Sequence, residues 1–151
     1  MADNPRILIV IAPFYEDITT ELQAGVTDVL DAAGAKYDVV SVPGAFEIPA
    51  AIKWAYEAGQ AGHIAPYDGY AGLGCVIRGE TSHYDYVCEE SIRGLMDLTL
   101  DPGLAIVNGI LTVENRDQAW ARASRDDKNK GGDFGAGILE TIALKEKFGL
   151  A

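Results

Sequence analysis

The chain has 151 residues, of which 48% are hydrophobic, and a formal net charge of −11 at pH 7. Its length suits a single domain, 1–151, that can bury a substantial core. The negative charge argues against nucleic acid or an anionic membrane surface as a partner. The sequence has no run of about 18 apolar residues, no signal-peptide pattern and no disulfide framework, so we expect a cytoplasmic domain.

Four short apolar runs predict the strands of a sheet, and segments with helical spacing lie between them. The runs are nearly continuous rather than alternating, which is typical of parallel strands buried on both faces. We predict a three-layer α/β/α sandwich, with a four-stranded parallel sheet and the flavodoxin-like order βαβαβαβαα. The predicted strands cover residues 7–12, 37–42, 70–77 and 104–110, and the predicted helices begin near 18, 49, 84, 117 and 134.

A charged loop with glycines precedes the last predicted helix. It covers residues 126–133, and the glycines at 131, 132, 135 and 137 are interpreted as the entry of that helix. A cluster of basic residues lies at or beside this loop, and it could be either a solvated, charge-balanced surface or a site for an anion. The cluster consists of Arg122, Arg125, Lys128 and Lys130.

Residues with chemical potential follow the first two predicted strands. In an open parallel sheet, ligands bind at the carboxyl ends of the strands. Phe14 and Phe46 offer flat apolar faces there, and Glu47 offers a carboxylate that can accept hydrogen bonds from hydroxyl groups. Each also has an ordinary structural explanation, because an aromatic ring can fill the core and the helix dipole favours an acidic residue in a first turn.

The segment Arg-Gly-Glu-Thr-Ser-His, residues 78–83, joins the third strand to the third helix. Gly79 can bring the backbone close to a ligand, and Thr81 or Ser82 can cap the helix. The free N–H groups of the first turn would then form a seat for phosphate or another oxyanion. His83 could accept and return a proton in this position, or it could simply cap the helix or face solvent.

Signatures of nucleotide and metal sites are absent from the sequence. Gly72-Leu-Gly74 lacks the third glycine that a dinucleotide fingerprint places before a helix, and no GxxxxGK[ST] phosphate loop occurs. The second histidine, His63, is predicted to lie in a surface loop, far in sequence from His83, so a histidine-rich metal site is unsupported.

Taken together, these stretches resemble the 6,7-dimethyl-8-ribityllumazine synthase family. The combination of Pro-Gly-Ala-Phe-Glu-Ile-Pro at 43–49 with Arg-Gly-x-Thr-x-His at 78–83 is specific, and the resemblance covers nearly the whole chain. It implies the condensation of 5-amino-6-(D-ribitylamino)uracil with 3,4-dihydroxy-2-butanone 4-phosphate, without a cofactor or metal. The matching blocks are Phe14 with 17–19, then 43–49, 74–87, 109–115 and 129–131.

The resemblance also implies roles for individual residues. Phe14 would stack on the pyrimidine ring, Glu47 would accept hydrogen bonds from the ribityl hydroxyls, and His83 would move protons. The residues implied for the pyrimidine substrate are Phe14, Ala45, Phe46, Glu47, Cys75, Val76, Ile77 and Asn108, and those implied for the phosphate substrate are Glu80, Thr81, Arg122 and Lys130.

A homo-oligomer is implied as well, namely a pentamer whose active sites lie between adjacent subunits. Some family members assemble twelve pentamers into a hollow shell and typically have a glycine-bearing turn between the last two helices. This chain has a charged segment there, residues 124–129, which favours a free pentamer. The chain also departs from the family at Asn108, where many relatives carry an aromatic residue, and at Cys75, where threonine is frequent.

Three other functions remain as alternatives. A paralogue with the same fold could bind lumazine or flavin without catalysis, or only form a shell. A flavodoxin-like electron carrier would need a phosphate loop rich in glycine and hydroxyl groups after the first strand, where this chain has Ala-Pro-Phe-Tyr-Glu at 12–16. An acidic interaction module would leave the grouping of polar residues near the strand ends unexplained.

Overall fold

The computed structural model describes residues 4–150 and contains one parallel sheet with helices on both faces. The strands lie side by side in the order β2-β1-β3-β4. This arrangement confirms the predicted α/β/α architecture and the order of its elements. The elements are β1 (Arg6–Ile11), α1 (Glu16–Ala32), β2 (Lys36–Ser41), a 3₁₀ turn (Ala45–Glu47), α2 (Ile48–Gln60), β3 (Gly69–Ile77), α3 (His83–Leu100), β4 (Ile106–Val113), α4 (Arg116–Ala123) and α5 (Lys130–Lys147).

Alternate side chains of β1 point to opposite faces of the sheet and build two separate cores. Ile7, Ile9 and Ile11 pack on the side covered by α1, α4 and α5. Leu8 and Val10 pack on the side covered by α2 and α3. All five side chains are buried, so the continuous apolar run of β1 has the two-sided burial that its pattern predicted.

Strand β2 is largely exposed, so the prediction that it is buried on both faces is wrong. Val39 and Val40 are 39% and 43% exposed. The physical reason is that β2 lies at the edge of the sheet and, within residues 4–150, pairs only with β1. Its apolar run therefore indicated a strand correctly but did not indicate where in the sheet that strand lies.

Two predicted boundaries near the C-terminal end are also wrong. Strand β4 continues to Val113 because its last residues remain paired with β3 as far as Ile77. Helix α5 begins at Lys130, inside the predicted loop, because the Asn129 side chain accepts a hydrogen bond from the backbone N–H of Gly132 at 3.2 Å. This is an N-cap, and it satisfies one of the free donors of the first turn.

Glycines allow α5 to pack very closely on α1. A Cβ atom at Gly131 would lie 2.2 Å from the carbonyl oxygen of Leu22. A Cβ atom at Gly25 of α1 would lie 3.0 Å from the backbone nitrogen of Gly132. Neither position has room for a side chain, so Gly131, which was interpreted only as part of the entry of the last helix, also serves a helix–helix contact.

Candidate active site

A cavity of about 540 Å³ opens at the carboxyl ends of β1, β2 and β3. From β1 the chain crosses to β2 on one side of it and then to β3 on the other side. Open α/β sheets bind ligands at such a switch point. The volume is within the range of small-molecule sites. The cavity is lined by Ala12, Phe14, Tyr15, Pro43, Gly44, Ala45, Phe46, Glu47, Cys75, Val76, Ile77, Gly79, Thr81, His83, Tyr84 and Val87.

Two aromatic rings on the cavity wall are exposed to solvent. Phe14 is 74% exposed and Phe46 is 64% exposed. The edge-to-face contact of Phe14 with Tyr15, at 5.0 Å between ring centroids, leaves much of the Phe14 ring uncovered. The structural alternative considered above, in which these rings fill the core, is therefore wrong for both. Exposed ring faces beside a cavity can stack on a planar ligand.

Glu47 lies where the chain turns from β2 into α2. It ends the 3₁₀ turn Ala45–Glu47, is half-buried and lines the cavity. The next residue, Ile48, is fully buried, and Pro49 stands in the first turn of α2, where its fixed φ angle suits a helix start. The carboxylate is thus carried by a well-anchored turn and can accept hydrogen bonds from a hydroxylated ligand.

The end of β3 forms another wall of the cavity, made of Cys75, Val76 and Ile77. Cys75 is 6% exposed, and its burial raises the pKa of its thiol to about 11. The thiol therefore stays protonated at neutral pH, and a protonated thiol is a poor nucleophile. This wall offers a ligand backbone groups and apolar contacts rather than a reactive sulfur.

The start of α3 faces the same cavity through Thr81 and His83. His83 is the first residue of the helix, and its backbone N–H lies 3.4 Å from Oγ1 of Thr81, a long hydrogen bond. Ser82 occupies the N-cap position without a side-chain cap, so Thr81 is the better supported of the two capping residues predicted. Gly79 has open space where a Cβ would stand, which leaves its backbone accessible.

Four of the predicted site residues do not line this cavity within a single chain. Asn108 is exposed on β4, and its Oδ1 accepts a hydrogen bond from the backbone N–H of Ile110 at 3.0 Å. Arg122 donates from Nη1 to the carbonyl oxygen of Gln118 at 3.0 Å. The remaining two are Lys130, which pairs with Asp133 at 3.4 Å, and Glu80, which is exposed in the segment before α3.

Several residues of the cavity were not predicted as site residues. Ala12 and Pro43 follow the first two strands, where the rule for parallel sheets already pointed. Tyr84 and Val87 lie in the matching block 74–87, but no site role was predicted for them. Val87 stands four residues after His83 and three after Tyr84, and these spacings place side chains on one helix face. That helical spacing was the available signal.

The exposed surface loop predicted for His63 is confirmed. Within residues 4–150, no group of three or more His, Cys, Asp or Glu side chains is arranged to hold a metal ion. None of the helices in the same part of the chain is long and apolar enough to cross a membrane.

Comparison with known proteins identifies the family. The sequence model described as 6,7-dimethyl-8-ribityllumazine synthase matches residues 4–146. The chain belongs to this family. Individual lumazine synthases are also highly similar to this chain over nearly its whole length.

Two Bartonella proteins and one rhizobial protein illustrate this similarity. The 6,7-dimethyl-8-ribityllumazine synthase of Bartonella tribocorum is 54% identical over 149 residues, which cover 99% of this chain and 95% of that protein. The Bartonella bacilliformis synthase is 56% identical, with 97% and 93% covered. The 6,7-dimethyl-8-ribityllumazine synthase 1 of Rhizobium meliloti is 54% identical, with 95% and 94% covered.

Proposed function

We propose that this protein is an enzyme that condenses 5-amino-6-(D-ribitylamino)uracil with 3,4-dihydroxy-2-butanone 4-phosphate to 6,7-dimethyl-8-ribityllumazine, the penultimate step of riboflavin biosynthesis. Membership of the lumazine synthase family supports this proposal. The structural observation that carries it is one cavity with exposed aromatic faces, a carboxylate and a helix start bearing histidine.

The pyrimidine substrate would use the side of the cavity that carries the aromatic rings. We assign stacking of its ring to Phe14, and contact with its ribityl chain to Ala45, Phe46 and Glu47. A carboxylate is an acceptor with several lone pairs, so Glu47 suits a chain of hydroxyl groups. Cys75, Val76 and Ile77 would bind the edge of the ring through backbone groups, for which the protonated thiol of Cys75 is no obstacle.

The phosphate substrate would use the start of α3. A phosphate group could accept hydrogen bonds from the backbone N–H groups of Glu80 and Thr81 and from the free donors of the first helical turn. These donors lie at the positive end of the helix dipole, which favours an anion. Glu80 would act through its backbone, so the exposure of its side chain is compatible with this role. His83 lies within the same turn and would exchange protons with the reacting groups.

The proposed reaction moves a proton at every step. The 5-amino group attacks the ketone, water leaves to give an imine, phosphate is eliminated, and the ring closes with loss of a second water. A positioned acid–base group contributes roughly 10²–10⁴-fold to such steps. Holding the two substrates together contributes an effective molarity on the order of 10⁵–10⁸ M, which does not depend on His83.

The site would be completed by a second copy of the chain in a homo-oligomer, which we propose to be a pentamer without further assembly into a shell. Arg122, Lys130 and Asn108 lie outside the cavity of their own chain. All three are at least partly accessible, so they are available to a neighbour's cavity. Arg122 and Lys130 would add positive charge at the phosphate, and Asn108 would approach the pyrimidine.

The test is absorbance at the long-wavelength band of the product after mixing the purified protein with both substrates, then omitting each in turn. We expect a rate above the spontaneous condensation, and a kcat reduced roughly 10²–10⁴-fold but still measurable in His83→Ala. The matched control is His63→Ala, which changes the other histidine in an exposed loop and should leave the rate unchanged.

A rate no higher than the spontaneous one would contradict the proposed activity. If such a protein still bound the lumazine product tightly, the non-catalytic paralogue would replace the synthase. Complete loss of turnover in a folded His83→Ala variant would contradict the view that most of the acceleration comes from holding the substrates together. An unchanged rate in that variant would remove His83 from the mechanism.

A further inference from the structure

Arg78 connects three elements at the edge of the cavity. It follows the last residue of β3, and its backbone N–H donates to the carbonyl oxygen of Val113 at the end of β4. Its Nε donates to Oε2 of Glu114 at 2.6 Å, and its Nη1 donates to Oδ1 of Asp85, in the first turn of α3, at 3.2 Å. Its guanidinium also covers the ring of Tyr84, 4.3 Å from the ring centroid.

The segment between Arg78 and α3 has little packing of its own. Residues 79–82 are all exposed, and a Cβ at Gly79 would meet nothing within 4 Å. The contacts that define its course are therefore at its two ends, on Arg78 and on the first turn of α3. Gly79 and Thr81 of this segment line the cavity, as do His83 and Tyr84 directly after it.

The two carboxylates beside Arg78 determine what its charge can do. The hydrogen bond with Glu114 is the main cause that raises the pKa of the Arg78 guanidinium, so the cation is stabilised where it stands. Two anions already share its donors, and the side chain does not line the cavity. Arg78 is thus suited to holding neighbouring elements together and poorly placed to pair with a ligand's phosphate.

We propose that Arg78 is a positioning residue, which with Glu114, Asp85 and Tyr84 forms a clamp that fixes the segment 79–82 and the start of α3 for the phosphate substrate. The effect on turnover rests on the function proposed above. The clamp acts through other groups: it orients the backbone N–H donors of the segment and the His83 imidazole. Glu114 is a necessary part, because it joins the end of β4 to Arg78.

The proposal distinguishes positioning from a direct effect of charge. If Arg78 attracted the phosphate directly, Glu114→Gln would remove a competing negative charge and would lower or preserve the KM for the phosphate substrate. If Arg78 acts as a clamp, Glu114→Gln and Arg78→Gln should both raise that KM, by roughly two- to fivefold for exposed contacts of this kind. The KM of the double variant should be no higher than that of the poorer single variant, because both substitutions disrupt the same arrangement.

The experiment measures steady-state kinetics and hydrogen exchange on the three variants and on Glu114→Asp. We expect faster exchange of the hydrogen-bonded backbone amides at positions 78 and 85, the two ends of the clamp, in Arg78→Gln and Glu114→Gln, with partial restoration in Glu114→Asp. The matched control is Arg93→Gln, since within residues 4–150 Arg93 pairs with Glu90 and Asp97 of α3 and joins no other element. It should change neither exchange at positions 78 and 85 nor KM.

The outcomes separate this proposal from the proposed function. Hydrogen exchange needs no turnover, so an inactive wild-type protein would contradict the synthase activity while exchange at positions 78 and 85 still tested the clamp. Unchanged exchange at these two positions in both single variants would overturn the clamp. It would also be overturned by a lower KM in Glu114→Gln, or by a loss of thermal stability in both variants without any change in KM.

Discussion

Two regions of the molecule use glycine in opposite ways. One is the contact between α1 and α5, and the other is the cavity at the carboxyl end of the sheet. At the helix contact, Gly131 and Gly25 are glycines because no side chain would fit. At the cavity, Gly79 has open space around it. Phe14 and Phe46 expose rings of the kind that a stable core would bury. The helix contact therefore serves the fold, whereas the cavity keeps surface available for a ligand.

The strongest test of this contrast is Gly131→Ala, for which we expect the free energy of unfolding to fall by about 1–3 kcal/mol or more. The new Cβ would stand 2.2 Å from the carbonyl oxygen of Leu22, a backbone atom, so α1 and α5 would have to separate. The gain of about 1 kcal/mol in helix propensity for alanine over glycine would not offset this. Urea unfolding followed by circular dichroism measures the change.

Gly79→Ala is the matched control for that experiment. Nothing lies within 4 Å of its added Cβ, so we expect the free energy of unfolding to stay within about 0.5 kcal/mol of the original value. Equal losses in the two variants would contradict the division between a packed contact and an open cavity.

The second prediction is that two arginines of the basic cluster have different roles: Arg125 stabilises the fold and Arg122 binds the ligand. Arg125 is bound to Glu21 and Asp28 of α1, whereas Arg122 pairs with no carboxylate among residues 4–150 and donates only to a backbone carbonyl. We expect Arg122→Ala to raise the KM for the phosphate substrate roughly tenfold or more, because hydrogen bonds to charged groups are strong. Initial rates at varied concentration of that substrate provide the measurement.

The control is Arg125→Ala, which should leave this KM unchanged and reduce thermal stability slightly, since its ion pairs join the loop after α4 to α1. An unaltered KM in Arg122→Ala would remove Arg122 from the site. A KM raised in Arg125→Ala alone would show that Arg125, and not Arg122, binds the anion.

The sequence predicted the elements well because most of them depend on local patterns. Strand β1 was predicted by its continuous apolar run. The helix start at His83 was predicted by the turn and capping residues directly before it. The edge position of β2 could not be predicted in this way, since neighbours in a sheet are distant in sequence. The start of α5 was missed for a similar reason, because glycines at 131 and 132 are unfavourable locally and become favourable only against Gly25.

The candidate site was predictable to a comparable degree. Phe14, Phe46, Glu47, Thr81 and His83 all follow strand ends, and the sheet brings strand ends together at one edge. No such rule predicted the positions of Arg122, Lys130 and Asn108 relative to the cavity. Their proposed partners lie on a second copy of the chain, and no pattern within one chain specifies that geometry.

The third prediction concerns the exposed ring of Phe14. We expect Phe14→Ala to raise the KM for the pyrimidine substrate up to about tenfold, since stacking of aromatic rings contributes about 0.5–1.5 kcal/mol. Its stability should change little, because the ring is mostly in solvent. Ile18→Ala, only four residues later, removes a fully buried side chain and should cost about 2–5 kcal/mol. A large loss of stability in Phe14→Ala would place that ring with the core.

The smallest effect is expected at Cys75, the buried thiol of the cavity wall. Burial raises its pKa from 9.0 to about 11, so the thiolate fraction near pH 8 falls about a hundredfold. Alkylation by iodoacetamide, located by mass spectrometry, should therefore be slow in the folded protein, and its rate should rise about tenfold between pH 9 and 10. In urea the rate should rise less than about twofold over the same interval and level off above about pH 10. Rapid labelling of the folded protein at neutral pH would show a reactive thiolate and would contradict the assignment of a buried, protonated thiol to Cys75.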